Sequence, residues 1–455
     1  MYIKPQGPKG YPLIGSISKL ASPNRLEWLQ SITNTYGDVV AFNLLKKKFY
    51  LINHPDLVKD LLTRNSDNYT KKTVGFKIIK VVLGESTFTS MGDEWRRKRL
   101  AVQPSFHKSK IVNLATIMTD CIEEMLTEWE TLCDDGQTLQ LTDAMMHVTL
   151  KVVVKALFSS ALSDADIHAI ATAFTPLLEA TNRRVLLPIQ FLHKLPLSNN
   201  KKYQGYIKTL DDIIYRIIKE RKATDDKPLD LLQMLIDATD EATGLPLTDQ
   251  ELRNEAMTMF IAGHETTANA MSWLWTVLSS KSDIREKIEQ EVDEVLGDKM
   301  PVASDFANLP YCLKVFKETM RLYPPVPILP RQVEKDTTLG GYDIKGGSGV
   351  LFSPHLLHRH PDFWDAPEVF DPNRFDKAEE RKRHTYAYLP FGGGARVCVG
   401  NNFALMEAVF IIAMTTQRFR VNLAPDTNFE PLVGLTTKPK FALNAQLQRR
   451  RAKKT

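Results

Sequence analysis

Apolar residues along this chain recur mostly at every third or fourth position, the spacing of a helix with one buried face. From about residue 110 to 300 helix follows helix, carried most plainly by "IVNLATIMTDCIEEMLTEWETL" (111–132) and "LTDAMMHVTLKVVVKALF" (141–158). An apolar, proline-bearing stretch, "RVLLPIQFLHKLPL" (184–197), interrupts the pattern and reads as a connecting loop. The longest run, "TDQELRNEAMTMFIAGHETTANAMSWLWTVLSSK", opens with Thr248 and Glu251 at capping-box spacing. Carried to about Ser280, it would be ~48 Å long at ~1.5 Å per residue. Past Met257 it is apolar nearly all round, as suits a helix through the middle of a large core. "SDIREKIEQEVDEVLG" and "NLPYCLKVFKETMRLYPP" predict two further helices.

The β signal is confined to two regions. "DVVAFNLLKKKFYLIN" (38–53) predicts a hairpin, two β-prone runs around a lysine-rich turn. "HPDLVKDLL" follows as a helix with proline in its first turn, and roughly 66–94 reads as less regular. Residues 326–352 hold short strand-like runs between turns, such as "GYDIKGGSGVLFS". Pairing between these distant strands would make one fold, so the expectation is a mainly α chain with small β-sheets (α+β) and a single domain over 1–455. No Gly/Ser run, low-complexity block or internal repeat marks a linker.

Composition narrows the function classes. The chain has 455 residues, 43% hydrophobic and 25% charged, which is ample for a large core. With 59 basic and 54 acidic residues the net charge is +5, too even a balance to argue for nucleic acid. Of the local basic runs "RRKR" (96–99), "RKRH" (381–384) and "RRRAKK" (449–454), the C-terminal one reads as a solvated face. Four cysteines, Cys121, Cys133, Cys312 and Cys398, contain no CxxC and support neither a disulfide framework nor a zinc site, which points to a reducing compartment. The opening "MYIKPQGPKGYPLIGS" lacks the run of about 20 apolar residues that an anchor needs. A cytoplasmic protein without an integral anchor is expected, or a membrane-associated one if an anchor precedes this sequence.

Three stretches carry chemistry. "AGHETT" (262–267) places a glycine, His264, Glu265 and two threonines within the long helix, where glycine costs ~1 kcal/mol relative to alanine. It reads as a tolerated kink or as a local opening in which an acid and a hydroxyl handle protons. "KETMR" sets Glu318 and Arg321 at i, i+3; taken alone this is a surface ion pair worth a few tenths of a kcal/mol. In "FGGGARVCVG" (391–400), glycines surround Cys398 where a helix from about 400 begins. Free N–H groups at a helix start favour a thiolate. One cysteine without a second ligand nearby suits haem iron held by a single thiolate; a catalytic cysteine nucleophile is the competing reading.

"FGGGARVCVG" resembles the Phe-Gly-x-Gly-x-Arg-x-Cys-x-Gly signature of the haem-thiolate monooxygenases, the cytochrome P-450 family, matching at Phe391, Gly392, Gly394, Arg396, Cys398 and Gly400. "AGHETT", "KETMR", "DPNRF" (371–375), "EWRRKR" and "GPKGYPLIGS" resemble that family's other motifs in the family's order, over essentially the whole chain. The resemblance implies haem b (iron protoporphyrin IX) between the long helix and the cysteine turn, with Cys398 as axial ligand and Phe391 packed near the sulfur. Trp95, Arg99, Arg331 and Arg396 would pair with the haem propionates. Glu318, Arg321 and Arg374 would form a buried salt-bridge cluster, which replaces the surface-pair reading. Ala262 and Thr266, one helical turn apart, would flank bound oxygen, and Glu265 would help supply protons.

The implied reaction inserts one atom of O2 into a C–H bond of an apolar small molecule, fatty-acid-like, alkyl or terpenoid-like. By family position, substrate contacts come from 73–88, 174–192, 258–266, 326–330 and 433–436, offering Phe76, Phe88, Ile261, Ile328, Leu329 and Leu435, with Val74, Phe174, Leu178 and Phe260; plain core is the other account of so many apolar residues. No dinucleotide fingerprint is present, so a separate ferredoxin or flavodoxin with its NAD(P)H reductase is expected to supply electrons to a monomer. Arg96, Arg97 and Lys98 would either meet that acidic donor or simply be solvated. A peroxygenase or isomerase needing no donor is the rival enzyme reading, against which the Glu265/Thr266 pair speaks. A non-catalytic haem-binding or structural helical protein is the third.

Overall fold

Strands Val39–Leu44 and Lys47–Ile52 form an antiparallel hairpin, with Val39 opposite Ile52 and Phe42 opposite Phe49. These positions come from a computed structural model, which describes residues 3–159, 162–186, 198–239, 243–425 and 427–450. Alternation along the hairpin feeds two separate cores. Val39, Tyr50 and Ile52 enter one apolar cluster, and Val40, Phe42 and Leu51 enter another on the opposite face. The sheet is thus covered on both sides. Lys47–Ile52 pairs in parallel with Gly349–Phe352, which pairs antiparallel with Leu329–Val333, and Tyr69–Thr70 closes the far edge. The expected pairing between distant strands is therefore present. A parallel pair cannot be joined by a tight turn, and here the connection is most of the chain.

The helices follow the apolar periodicity closely. Ala115–Asp134, Leu141–Phe158, Ser282–Val295 and Pro310–Leu322 lie where expected, and Pro55–Leu62 carries its proline in the first turn. The long helix spans Asp249–Leu278. Its capping box is closed reciprocally: Thr248 N–H donates to Glu251 Oε2 (3.0 Å) and Glu251 N–H donates to Thr248 Oγ1 (3.3 Å).

Two expectations differ from the structure. The stretch read as less regular contains a helix, Val74–Leu83. Thr73 Oγ1 accepts from Phe76 N–H at its start, Ile78 and Val82 bury one face, and Gly84 at φ +60° ends it. Of the loop expected at 184–197, the first residues belong to the helix Asp164–Leu186, and 187–197 lie outside the described residues.

The chain divides into two compact units. Met1–Thr70, Ala115–Leu150 and His264–Thr455 form the first; Lys71–Leu114 and Lys151–Gly263 form the second. The first contains all five strands of the sheet and the cysteine turn. The second is helical, and a buried pair, Arg221 bidentate to Asp230 (2.9 and 2.8 Å), helps close it. Among the described residues no helix is long and apolar enough to cross a membrane.

Candidate active site

Glycine is required in the cysteine turn by contact as well as by conformation. Gly394 sits at φ +65°, and a Cβ there would stand 2.1 Å from the Leu62 carbonyl oxygen at the end of helix Pro55–Leu62. The turn is closed by Cys398 N–H donating to Phe391 O (3.0 Å) and Val397 N–H donating to Gly394 O (3.2 Å). The backbones of Phe391 and Cys398 are thereby joined across the turn. Gly400 caps the helix Asn401–Arg418, whose middle is fully buried. Cys398 lies two residues before that cap and is exposed, while Phe391 and Arg396 are half-buried.

Arg331, on strand Leu329–Val333, is buried. Its Nη1 donates to the Pro330 carbonyl (2.8 Å), and its guanidinium lies 5.4 Å from the Phe352 ring centre. Among the described residues no carboxylate pairs with it, and burial pushes its pKa down to about 10. A buried cation left without an anion is costly. Together with an accessible thiol on a tight glycine turn, it fits a bound group that brings both carboxylates and a thiophilic metal.

Glu318 and Arg321 are fully buried on helix Pro310–Leu322. All five Arg321 donors are used. Nε and Nη2 grip the Glu318 carboxylate (2.7 and 2.8 Å), while the carbonyls of His358, Pro367 and Val369 accept the other three (3.0, 2.6 and 3.0 Å). Arg374 Nε approaches Glu318 Oε1 at 3.6 Å, and Asp371 N–H donates to the same oxygen (2.8 Å). The expected cluster is thus assembled. His358, which sequence reasoning missed, extends it to the cysteine turn. Its Nδ1–H donates to Arg321 O (3.1 Å) and its Nε2 accepts from Leu389 N–H (2.8 Å). Burial brings the His358 pKa down to about 3, as that neutral tautomer requires.

Within the long helix His264 is buried, with Nε2 bonded to Met146 O (2.8 Å) and its pKa lowered to about 4 by burial. It serves packing, on the helix Leu141–Phe158. Glu265 and Thr266 do not share a direction, because consecutive residues on a helix are about 100° apart. Glu265 Oε1 accepts from Thr436 Oγ1 (2.9 Å), and burial raises its pKa against the opposing effects of Thr436, Lys438 and Asn269. Thr266 is half-buried. Leu435, Ile328 and Leu329 are half-buried in the same unit, and the last two also pack against the two cores of the sheet.

In the second unit, Ala262 is exposed and Ile261 half-buried on the long helix. Trp95 and Arg99 lie on helix Gly92–Val102, both half-buried, with Arg99 Nε donating to Gln103 (3.0 Å). Phe76 and Phe88 meet at 5.3 Å, and the Lys71 ammonium lies over both rings (4.9 and 4.3 Å). Val74 is exposed and Leu178 half-buried, whereas Phe174 and Phe260 pack edge-to-face at 4.6 Å in the core, so the plain-core account holds for that pair. The basic run also departs from expectation. Lys98 is buried and bonded to Glu94 (2.7 Å) and Glu85 O (2.8 Å), and Arg97 pairs with Glu251; Lys98 is neither solvated nor available to a partner.

A buried acid absent from the sequence reading is Glu255. Its Oε1 accepts from Thr87 N–H (2.6 Å) and Thr87 Oγ1 (3.0 Å), fastening the segment before Phe88 to the long helix, and burial pushes its pKa up to about 7. One residue earlier, Asn254 Nδ2 donates to Glu85 O (3.2 Å).

The family model that matches is Cytochrome P450, over residues 5–446. Among curated relatives, "Cyclooctatin synthase" from Streptomyces melanosporofaciens is 34% identical over 441 residues, 96% of this chain and 93% of the relative. "Cyclooctat-9-en-7-ol 5-monooxygenase" from the same organism is 32% identical over 422 residues, 92% and 90% of the two chains. Human "Cytochrome P450 4F2" is 31% identical over 416 residues, 86% and 78%. The solved structure of the cytochrome P450DA heme domain superposes with a TM-score of 0.89 at 24% identity, covering 99% of each chain.

Proposed function

The chain belongs to the cytochrome P450 family and is a monooxygenase of that haem-thiolate family; from that premise we propose that it inserts one atom of O2 into a C–H bond of an apolar small molecule, with haem b bound through Cys398. The observation that carries the reading is the exposed Cys398 thiol on the closed glycine turn. Haem held by a thiolate would supply, when bound, the electron-rich iron chemistry that activates O2.

The chain's own residues divide the remaining work. Cys398 would hold the iron, and Phe391 would shield the sulfur. Arg331 and Arg396, with Trp95 and Arg99, would receive the two propionates through charge-assisted bonds. The Glu318–Arg321–Arg374 cluster would keep the base of the cysteine turn rigid through His358. Thr266 would hold a hydroxyl one turn from Ala262, and Glu265, which faces Thr436 and not Thr266, would supply protons without touching that hydroxyl. One catalytic domain spanning the chain belongs to the same reading.

The substrate is proposed to be fatty-acid-like, alkyl or terpenoid-like. Support comes from the half-buried Phe76, Ile261, Ile328, Leu329 and Leu435 and the partly exposed Phe88, and from a relative whose name makes it an oxygenase of cyclooctat-9-en-7-ol. Electrons would come from a separate ferredoxin or flavodoxin with its NAD(P)H reductase. The test is the absorption spectrum of the reduced, carbon-monoxide-bound protein beside Cys398→Ser. A thiolate-type band in the parent, lost in the variant, is expected; the same spectrum from both would overturn the ligand assignment. Turnover of a lipophilic library with a ferredoxin system against peroxide alone then checks the donor requirement.

A further inference from the structure

The acid of "AGHETT" is not aimed at its neighbouring hydroxyl. Glu265 reaches instead to the turn of a short hairpin, Pro431–Val433 with Thr437–Pro439, where Thr436 Oγ1 donates to it at 2.9 Å. Asn269, one helical turn beyond Glu265 and buried, donates its Nδ2–H to the same hydroxyl oxygen (3.4 Å). With its oxygen accepting from Asn269, the Thr436 hydroxyl directs its own proton at the carboxylate. The hairpin turn is held in place independently. Gly434 N–H donates to Thr436 O (2.9 Å), Thr437 N–H to Pro325 O (2.9 Å), and Trp273 Nε1–H to Thr437 O (3.3 Å).

We propose that Thr436 is the positioning residue for the Glu265 carboxyl, fixing it on the hairpin side and setting the pH range over which it exchanges its proton. The proposal rests on the reading of Glu265 as a proton supplier. Lys438, on the same hairpin, is the charged group that faces Glu265 among the described residues. Leu435, adjacent to Thr436, is one of the candidate substrate contacts, so occupancy by substrate and the setting of the acid share one turn.

A hydrogen bond given to a carboxylate favours its charged form, so removing it raises the pKa. A bond to a charged group is strong enough for Thr436→Val to shift the Glu265 titration upward by about one pH unit. The measurement is difference infrared spectroscopy of the resting holoenzyme, following the protonated-carboxyl carbonyl band that disappears in Glu265→Gln. Thr436→Val and Thr436→Ala are expected to move its midpoint up, and Thr436→Ser to restore it. Coupling of NAD(P)H use to product should fall in the valine variant, and the double variant with Glu265→Gln should be no worse than Glu265→Gln alone. An unmoved midpoint in both the valine and alanine variants overturns the proposal. Unchanged coupling in Glu265→Gln overturns the proton-supply reading instead, while the infrared titration still decides what Thr436 does.

Discussion

Replacing Arg321 by lysine keeps the charge beside Glu318 and changes the geometry alone. The guanidinium delivers five donors in a plane, two to Glu318 and three to the carbonyls of His358, Pro367 and Val369. A lysine ammonium has three donors on one atom. At best its three donors keep three of those five bonds, leaving two buried acceptors unpaired. At about 1–3 kcal/mol for each buried group left without its bond, Arg321→Lys should cost about 3 kcal/mol. That is a large part of the 5–15 kcal/mol that holds a typical protein folded. The expected result is a urea midpoint displaced downward at unchanged slope, with the cysteine turn loosened through His358. A loss below about 1 kcal/mol would mean that the carbonyls find other partners and that the planar fork is not what holds Arg321 in place.

Arg331→Leu should stabilise the protein without haem, because it removes a buried cation that has no carboxylate partner among the described residues, and should speed haem loss to a scavenger at least tenfold, about 1.4 kcal/mol; unchanged or slower loss would refute the anion-receiving role. Glu255 keeps its proton to about pH 7 in the folded chain, against an ordinary value of 4.5, so the folded state holds the extra proton between those limits and stability falls as pH rises through them. Glu255→Gln retains an acceptor for Thr87 and should flatten that fall, by up to about 3 kcal/mol above pH 7, which pH-dependent melting reads; parallel curves would refute it. Thr266→Ala should keep consuming NAD(P)H while product falls and peroxide rises, and unchanged coupling would argue against a proton relay.

Local rules were legible in the chain wherever neighbours in sequence are also neighbours in space. The Thr248/Glu251 box, the 38–53 hairpin and the tight glycine turn before Cys398 each depend on a few consecutive residues, and each formed as expected. Val74–Leu83 went unread although its cap and stop, Thr73 and Gly84, are local, because its buried face is short and depends on packing against the rest of its unit. The families of motifs identified Glu318 and Arg321, yet their full satisfaction needs three carbonyls from a distant loop. The basic run 96–99 reads as one patch in sequence, but helical rotation sends Lys98 inward and Arg97 to Glu251. Glu265 and Thr266 are adjacent by chain and divergent by rotation, and only the hairpin turn that arrives 171 residues later decides what the acid touches. Sequence alone determined the cysteine turn, the helix periods and the sheet strands, because steric and hydrogen-bonding preferences act locally. Tertiary structure decided which charges are buried, which are paired, and which way the proton-bearing side chains face, because desolvation and long-range contact exist only in the folded chain.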